Sequence, residues 1–304
     1  MHLRPPAGPR RALRAAAAVA VLAVTLGACS SGGEPTERLD AQSAAGTLEE
    51  GLTYWSGDGV DLALDACLPE AAEEPTRAVV IVHGGGFTDG DRASGGSRAL
   101  CEATAALGQA AFSIDYRLAP EFVYPAQVDD LANAVRWLRE PAQVQRFGID
   151  PARIGVLGSS AGAIIAQSLA TRGQGPLGTG ERVAAVVSLS GVSVMSPEGF
   201  TLGDPSPAAA QLVLRYLGCR SATDCPQSVP ASPISSVDAS DPPMLLVNGT
   251  GELVPAEQAE AMDAALTGAG VDSELLVIDA PDHGAALLTT DVRQRALTFL
   301  EDHL

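Results

Sequence analysis

From about residue 52 onward the chain alternates short apolar runs with longer stretches of helical spacing. Leu62, Leu64, Ala66 and Leu68 alternate with polar or smaller positions, the period-two pattern of a half-buried strand. Ala78–Val82 and Ile154–Leu157 are continuous apolar runs ending in glycine-containing turns, as expected of strands buried on both faces of a parallel sheet. Ala110–Ile114, Ala184–Leu189, Met244–Val247 and Leu275–Ile278 repeat the theme. Between them, Ser97–Leu107, Ala126–Leu138, Ala161–Thr171, Pro207–Leu217, Ala256–Leu266 and Asp291–Leu300 read as helices. This alternation predicts an α/β domain with an open, mostly parallel central sheet covered on both faces. Reactive groups in such a sheet belong at the carboxyl ends of its strands. The segment from Val192 to Asp241 is rich in Pro, Ser, Asp and Gly and holds one amphipathic stretch. It is expected to lie over one end of the sheet and shape a substrate pocket.

The first 52 residues break this pattern. Arg4, Arg10, Arg11 and Arg14 precede an apolar run from Ala15 to Leu26, followed by Leu26-Gly27-Ala28-Cys29. A basic start, a short apolar stretch and small residues before a cut are the parts of an export signal, and the run is shorter than the roughly 20 residues that span a bilayer. The cut site resembles a lipobox, which implies lipidation of Cys29 and a membrane anchor there; an ordinary signal peptide containing a cysteine is the plainer alternative. Arg10-Arg11 could belong to a twin-arginine signal, but the flanking residues do not support it. Ser30-Ser31-Gly32-Gly33-Glu34-Pro35-Thr36 has the composition of a tether. The expected organisation is a signal peptide over 1–28, a tether over 29–52 and one catalytic domain over 53–304, on the outer side of the cytoplasmic membrane.

The formal charge of the 304-residue chain is −18, and all its Lys and Arg positions are arginine. Removing residues 1–28 takes away four arginines and no acid, leaving −22. A domain this acidic repels phosphate backbones, which excludes nucleic acid as the expected partner. The acidity also serves solubility on its own. With Cys29 set apart, four cysteines remain, an even number in an exported chain. Cys219 and Cys225 bracket the polar Arg-Ser-Ala-Thr-Asp and are expected to pair, leaving Cys67 and Cys101 as the other option. Neither spacing is a zinc pattern, and with four histidines and no His-Glu-x-x-His the chain gives no reason to expect a metal.

Three motifs carry chemistry. Gly158-Ser159-Ser160-Ala161-Gly162 sits between a predicted strand and a predicted helix. Glycines two before and two after a serine permit a strained turn that lifts the hydroxyl clear, although a tight turn without chemistry has the same look. His83-Gly84-Gly85-Gly86 follows the strand Ala78–Val82, where backbone N–H groups without side chains could approach an oxyanion; His83 itself reads as a brace for the loop. Asp282-His283-Gly284 follows the strand Leu275–Ile278. Serine is a weak nucleophile near neutrality and needs a base, and His283 is the histidine placed at a late strand end, His303 lying in the C-terminal tail. Chain order then asks for a carboxylate after the strand ending at Val247. In Asn248-Gly249-Thr250-Gly251-Glu252-Leu253-Val254-Pro255 the one acid is Glu252; Asp279, Asp282, Asp241 or a triad without a third member remain open. Gly173-Gln174-Gly175-Pro176-Leu177-Gly178 fits a dinucleotide fingerprint but follows a helix, so it reads as a loop.

Together with Asp115-Tyr116-Arg117-Leu118-Ala119-Pro120, these motifs resemble the bacterial hormone-sensitive-lipase-like carboxylesterases and the neighbouring xylan deacetylase and feruloyl esterase type hydrolases. The resemblance runs from about Tyr54 to the C-terminus and implies an α/β-hydrolase fold. It further implies that Gly85, Gly86 and Ala161 donate the oxyanion-hole N–H groups, that Asp115-Tyr116-Arg117 is a structural turn, and that no cofactor is required. Two departures stand out. Relatives commonly carry Asp where this chain has Glu252, and residues 30–52 hold no substantial helical cap. Little or no cap favours small acyl groups on bulky or polymeric alcohols.

The expected function is a serine carboxylic-ester hydrolase with Ser160, His283 and Glu252 as its catalytic residues, acting on a small-molecule or polysaccharide-linked ester. A peptidase or amidase on the same fold, and a surface-tethered binding protein that has lost catalysis, are the rivals.

Overall fold

The computed structural model describes residues 46–70 and 75–304, so the expected signal peptide, Cys29 and most of the expected tether lie outside the described residues. Eight strands form one sheet: β1 (Thr47–Gly57), β2 (Val60–Leu68), β3 (Thr76–Val82), β4 (Ala110–Ile114), β5 (Ile149–Ser159), β6 (Val186–Leu189), β7 (Met244–Gly249) and β8 (Ser273–Ile278). Their order is β1-β2-β4-β3-β5-β6-β7-β8; β1 and β2 run antiparallel, β2 meets β4 antiparallel, and every later pairing is parallel.

Successive residues of the central strands point to opposite faces, and both faces are buried. Val80 and Val82 join Phe112, Val156 and the inner sides of the helices α2 (Ala126–Leu138), α4 (Ala161–Ala170) and α7 (Glu257–Ala269). Val79 and Ile81 join Leu157, Val187 and Leu245 under α1 (Gly95–Ala105) and α8 (Thr290–His303). That two-sided burial explains why these strands read as unbroken apolar runs. Two cross-links tie down the periphery: Cys67 of β2 to Cys101 of α1, and Cys219 to Cys225. By loop-closure entropy, the first, which spans 34 residues of sequence, stabilises the fold by about 3–4 kcal/mol.

The domain boundary needs correction. Residues 47–52, assigned to the tether, are the first half of β1. The strand is at the sheet edge, mostly solvent-facing, with Tyr54 its one fully buried side chain. Register shifts between Glu49 and Leu52 and between Thr53 and Trp55 break the two-residue alternation, so no apolar period marks it. Two short helices also escaped the pattern: α3 (Pro141–Phe147), which buries only Phe147, and α6 (Ser228–Ala231). By contrast α5 (Pro207–Leu217) has Ser206 accepting from the Ala209 N–H, Pro207 in its first turn and Gly218 left-handed at its end, the sequence punctuation of a helix. It lies within residues 190–243, which connect β6 to β7.

Candidate active site

The elbow after β5 is built by exclusion. A Cβ on Gly158 would lie 2.3 Å from the Gly162 carbonyl oxygen, and one on Gly162 would lie 2.1 Å from that of Val82. The turn can therefore pack against β3 only with hydrogen at both positions. Between them Ser160 adopts φ 54°, ψ −117°, outside the ordinary regions for a side-chain-bearing residue, a conformation that costs about 1–3 kcal/mol. Its N–H donates to the Leu189 carbonyl at 2.8 Å, fixing the turn to the end of β6.

Ser160 Oγ lies 2.8 Å from His283 Nε2, and His283 Nδ1 is hydrogen-bonded to Glu252 Oε2. The Glu252 side chain is fully buried, whereas His283 is 29% exposed. The other Glu252 oxygen, Oε1, accepts from the Gly249 N–H at 2.7 Å, from Ser190 Oγ at 2.8 Å and from Asn248 Nδ2 at 3.3 Å. An ionised carboxylate is an acceptor only, so Nδ1 carries the proton in this pair and Nε2 presents its lone pair to the Ser160 hydroxyl. Of the other candidates, Asp279 accepts from Thr250 Oγ1, Asp241 faces Arg182, and Asp282 is exposed to solvent; His283 Nδ1 bonds to Glu252 and to none of them.

The histidine loop is held by two further serines. Ser190 Oγ accepts from the Gly284 N–H at 2.8 Å and Ser159 Oγ from the Ala285 N–H at 2.9 Å. Sequence reasoning passed over Ser159, Ser190 and Asn248; each is defined by which strand ends meet in space.

The glycine loop closes the other side. A Cβ on Gly84 would sit 3.3 Å from Ser160 Cβ, so this backbone runs alongside the serine. Gly85 (φ 120°) and Gly86 (φ 58°) turn the chain, with the Gly85 carbonyl accepting from the N–H groups of Thr88 and Asp89 at 3.1 Å each. Among the described residues the N–H groups of Gly85, Gly86 and Ala161 have no protein acceptor. His83, buried, donates from Nδ1 to the Gly84 carbonyl at 2.6 Å and stacks on Tyr116 at 4.1 Å, while Tyr116 Oη donates to the His83 carbonyl at 3.1 Å. Burial pushes the His83 imidazole below its ordinary value, which keeps it neutral as a brace. The Asp115-Tyr116-Arg117 turn is pinned in the same way: Arg117 pairs with buried Asp130 at 2.8 Å, and Asp115 with Arg92 at 2.7 Å. Burial raises the Asp130 carboxyl, and the hydrogen bonds from Arg117 work against that rise.

Gly85→Ala is expected to lower kcat by about 100- to 1,000-fold, the cost of removing one oxyanion donor, because the new methyl would lie 1.9 Å from the Asp89 carbonyl oxygen and swing the loop away. Steady-state kinetics beside a thermal melt separate this from unfolding.

An apolar hollow lies beside the loop that carries Glu252, walled by Val192 and Val194 after β6, Phe200, Val213 of α5, and Leu253 and Val254 next to Glu252. The segment connecting β6 to β7 thus lines a pocket.

A strained serine after a parallel strand, a histidine and buried carboxylate from later strand ends, and a glycine loop with free N–H groups define an α/β-hydrolase with a serine–histidine–carboxylate site. Residues 64–266 match the BD-FAE family, and the chain belongs to it. It is similar to mouse neutral cholesterol ester hydrolase 1, 31% identical over 129 residues, which are 42% of this chain and 32% of that protein. The chain thus spans about a third of the length of that relative. Among solved structures, a truncated carbohydrate esterase from gut microbiota superposes with a TM-score of 0.69 at 23% identity, over 86% of this chain and 98% of that one. Thermogutta terrifontis esterase Est2 superposes with a TM-score of 0.65 at 25% identity, over 86% and 92%; another structure of esterase 2 from that organism is phosphonylated by sarin.

Proposed function

We propose that this protein is a serine carboxylic-ester hydrolase working through an acyl-enzyme, and the observation that carries the proposal is the Ser160–His283–Glu252 hydrogen-bond chain. His283 Nε2 takes the proton as Ser160 Oγ attacks the ester carbonyl. The negative oxygen that forms is stabilised by the N–H groups of Gly85, Gly86 and Ala161, each such donor contributing about 3–4 kcal/mol in a transition state of this kind. Imidazolium, steadied by ionised Glu252, passes the proton to the departing alcohol. Water then enters, loses its proton to Nε2, and releases the carboxylic acid by the same steps in reverse. No step requires a cofactor.

The substrate reading is a short-acyl ester, small or polysaccharide-linked. The likeness to a carbohydrate esterase supports the second form, and the apolar lining of the hollow beside Glu252 suits an acyl chain. p-Nitrophenyl acetate, butyrate and decanoate, with a matched p-nitroanilide, test this. Acetate and butyrate should exceed decanoate in kcat/KM by at least about tenfold, several lost contacts' worth of binding energy, with the anilide slower still. Preference for decanoate would overturn the short-acyl assignment, and preference for the anilide would make the protein an amidase.

The leader supports an exported lipoprotein anchored at Cys29 with its domain beginning near residue 47, since Leu26-Gly27-Ala28-Cys29 follows a basic and then apolar stretch. Full-length protein should then fractionate with membranes in a bacterial host, and Cys29→Ala should lose that retention after export. Equal retention of both chains would sink the anchor.

A further inference from the structure

We propose that Ser190 is a positioning residue of the catalytic site, a hydroxyl that locks the acid and the histidine loop to one another. The inference rests on the esterase reading and adds to it a residue outside the triad.

Ser190 is fully buried at the end of β6, and its N–H donates to the Val247 carbonyl on β7 at 2.8 Å. Its φ is 59°, in the left-handed region that side-chain-bearing residues rarely occupy, where glycine would rest without strain. A strained serine at a place suited to glycine needs a use for its hydroxyl. That hydroxyl makes two bonds of fixed direction. The Gly284 N–H can only donate, so Ser190 Oγ accepts it at 2.8 Å and must send its own proton to Glu252 Oε1, also 2.8 Å away. Among the described residues it is the one side chain hydrogen-bonded both to the acid and to the histidine loop; Gly249 and Asn248 reach Glu252 but not that loop, Asn248 also donating to the Val254 carbonyl, and Ser159 reaches the loop but not Glu252.

The direction matters. A donor fixed on Oε1 leaves that oxygen an acceptor and turns Oε2 toward His283 Nδ1. Glutamate has one more rotatable bond than aspartate, so its carboxylate needs this extra hold. Glu252 and the residue after His283 hang on one oxygen atom, so their relative placement does not depend on β7 and β8 keeping an independent register.

The test uses Ser190→Ala and Ser190→Gly, the second removing the hydroxyl while relieving the positive φ, so that loss of folding cannot be confused with loss of function. On p-nitrophenyl acetate, kcat should fall about 10- to 100-fold, the cost of a misplacement near 1 Å, with KM within about twofold of the wild type. Placed in a Glu252→Gln background, the same substitutions should cost less than about threefold, because a residue acting through Glu252 has nothing left to position. The inference is overturned if the folded glycine variant keeps kcat within threefold of the wild type. It is equally overturned if the loss is undiminished in the Glu252→Gln background, which would make Ser190 a support of the loop alone. An inactive wild type would sink the esterase reading itself; an active one with indifferent Ser190 variants sinks only this inference.

Discussion

Ser160→Ala is expected to lower kcat for p-nitrophenyl acetate by about 10,000- to 1,000,000-fold while leaving the thermal midpoint unchanged. The hydroxyl's one side-chain partner is His283 Nε2, which accepts from it, and the His283 side chain is partly exposed to water, so truncation leaves no fully buried group without a partner. What disappears is the covalent route: without Oγ no acyl-enzyme forms, and the residual rate reflects only oxyanion donors and bound water. His283→Ala should fall in the same range, and the double variant should be scarcely worse than either single one, because nucleophile and base act as a unit. Initial rates at saturating ester, with the variants purified beside the wild type to exclude contaminating host esterase, read this directly.

Glu252→Gln is expected to lower kcat at least about 100-fold and by as much as 10,000-fold, for a reason specific to the surroundings of this side chain. Three donors converge on Oε1: the Gly249 N–H, the Ser190 hydroxyl and the Asn248 amide. They oblige the amide oxygen of glutamine to take that position, which turns its NH2 toward His283 Nδ1. A donor there demands a lone pair on Nδ1, so the proton moves to Nε2, and His283 can no longer accept from Ser160. The tautomer is inverted with almost no change in shape. Glu252→Ala should lose both activity and stability, because it leaves the Gly249 N–H and the Ser190 hydroxyl buried without an acceptor. A Glu252→Gln enzyme with kcat within tenfold of the wild type would remove Glu252 from the mechanism.

Legibility in the sequence follows burial. β3, β5 and β7 could be read because their central runs, Ala78–Val82, Ile154–Leu157 and Met244–Val247, are buried on both faces and carry no polar side chain. α5 could be read because its serine, proline and glycine mark its ends locally. β1 could not: it is an edge strand held by backbone pairing to β2, and its Glu49, Glu50 and Gly51 look like tether. The reactive serine, the histidine and the glycine loop announced themselves because each sits in a short motif at a strand end. Glu252 was reachable only through chain order, as the one acid in its stretch. Ser190 carried no local signal, since Ser188-Leu189-Ser190-Gly191 has the look of any polar strand end. Its role arises where the ends of β6 and β7 and the loop after β8 meet, and no spacing along the chain encodes that meeting.

Stoichiometric labelling by a p-nitrophenyl alkylphosphonate, followed by peptide mass spectrometry, measures whether Ser160 is the activated nucleophile without presuming a substrate. The prediction is one equivalent of p-nitrophenol released per chain, the phosphonyl mass on the peptide containing Ser160, and no labelling of His283→Ala on the same timescale. No burst, or a label on another residue with Ser160 unmodified, would contradict it.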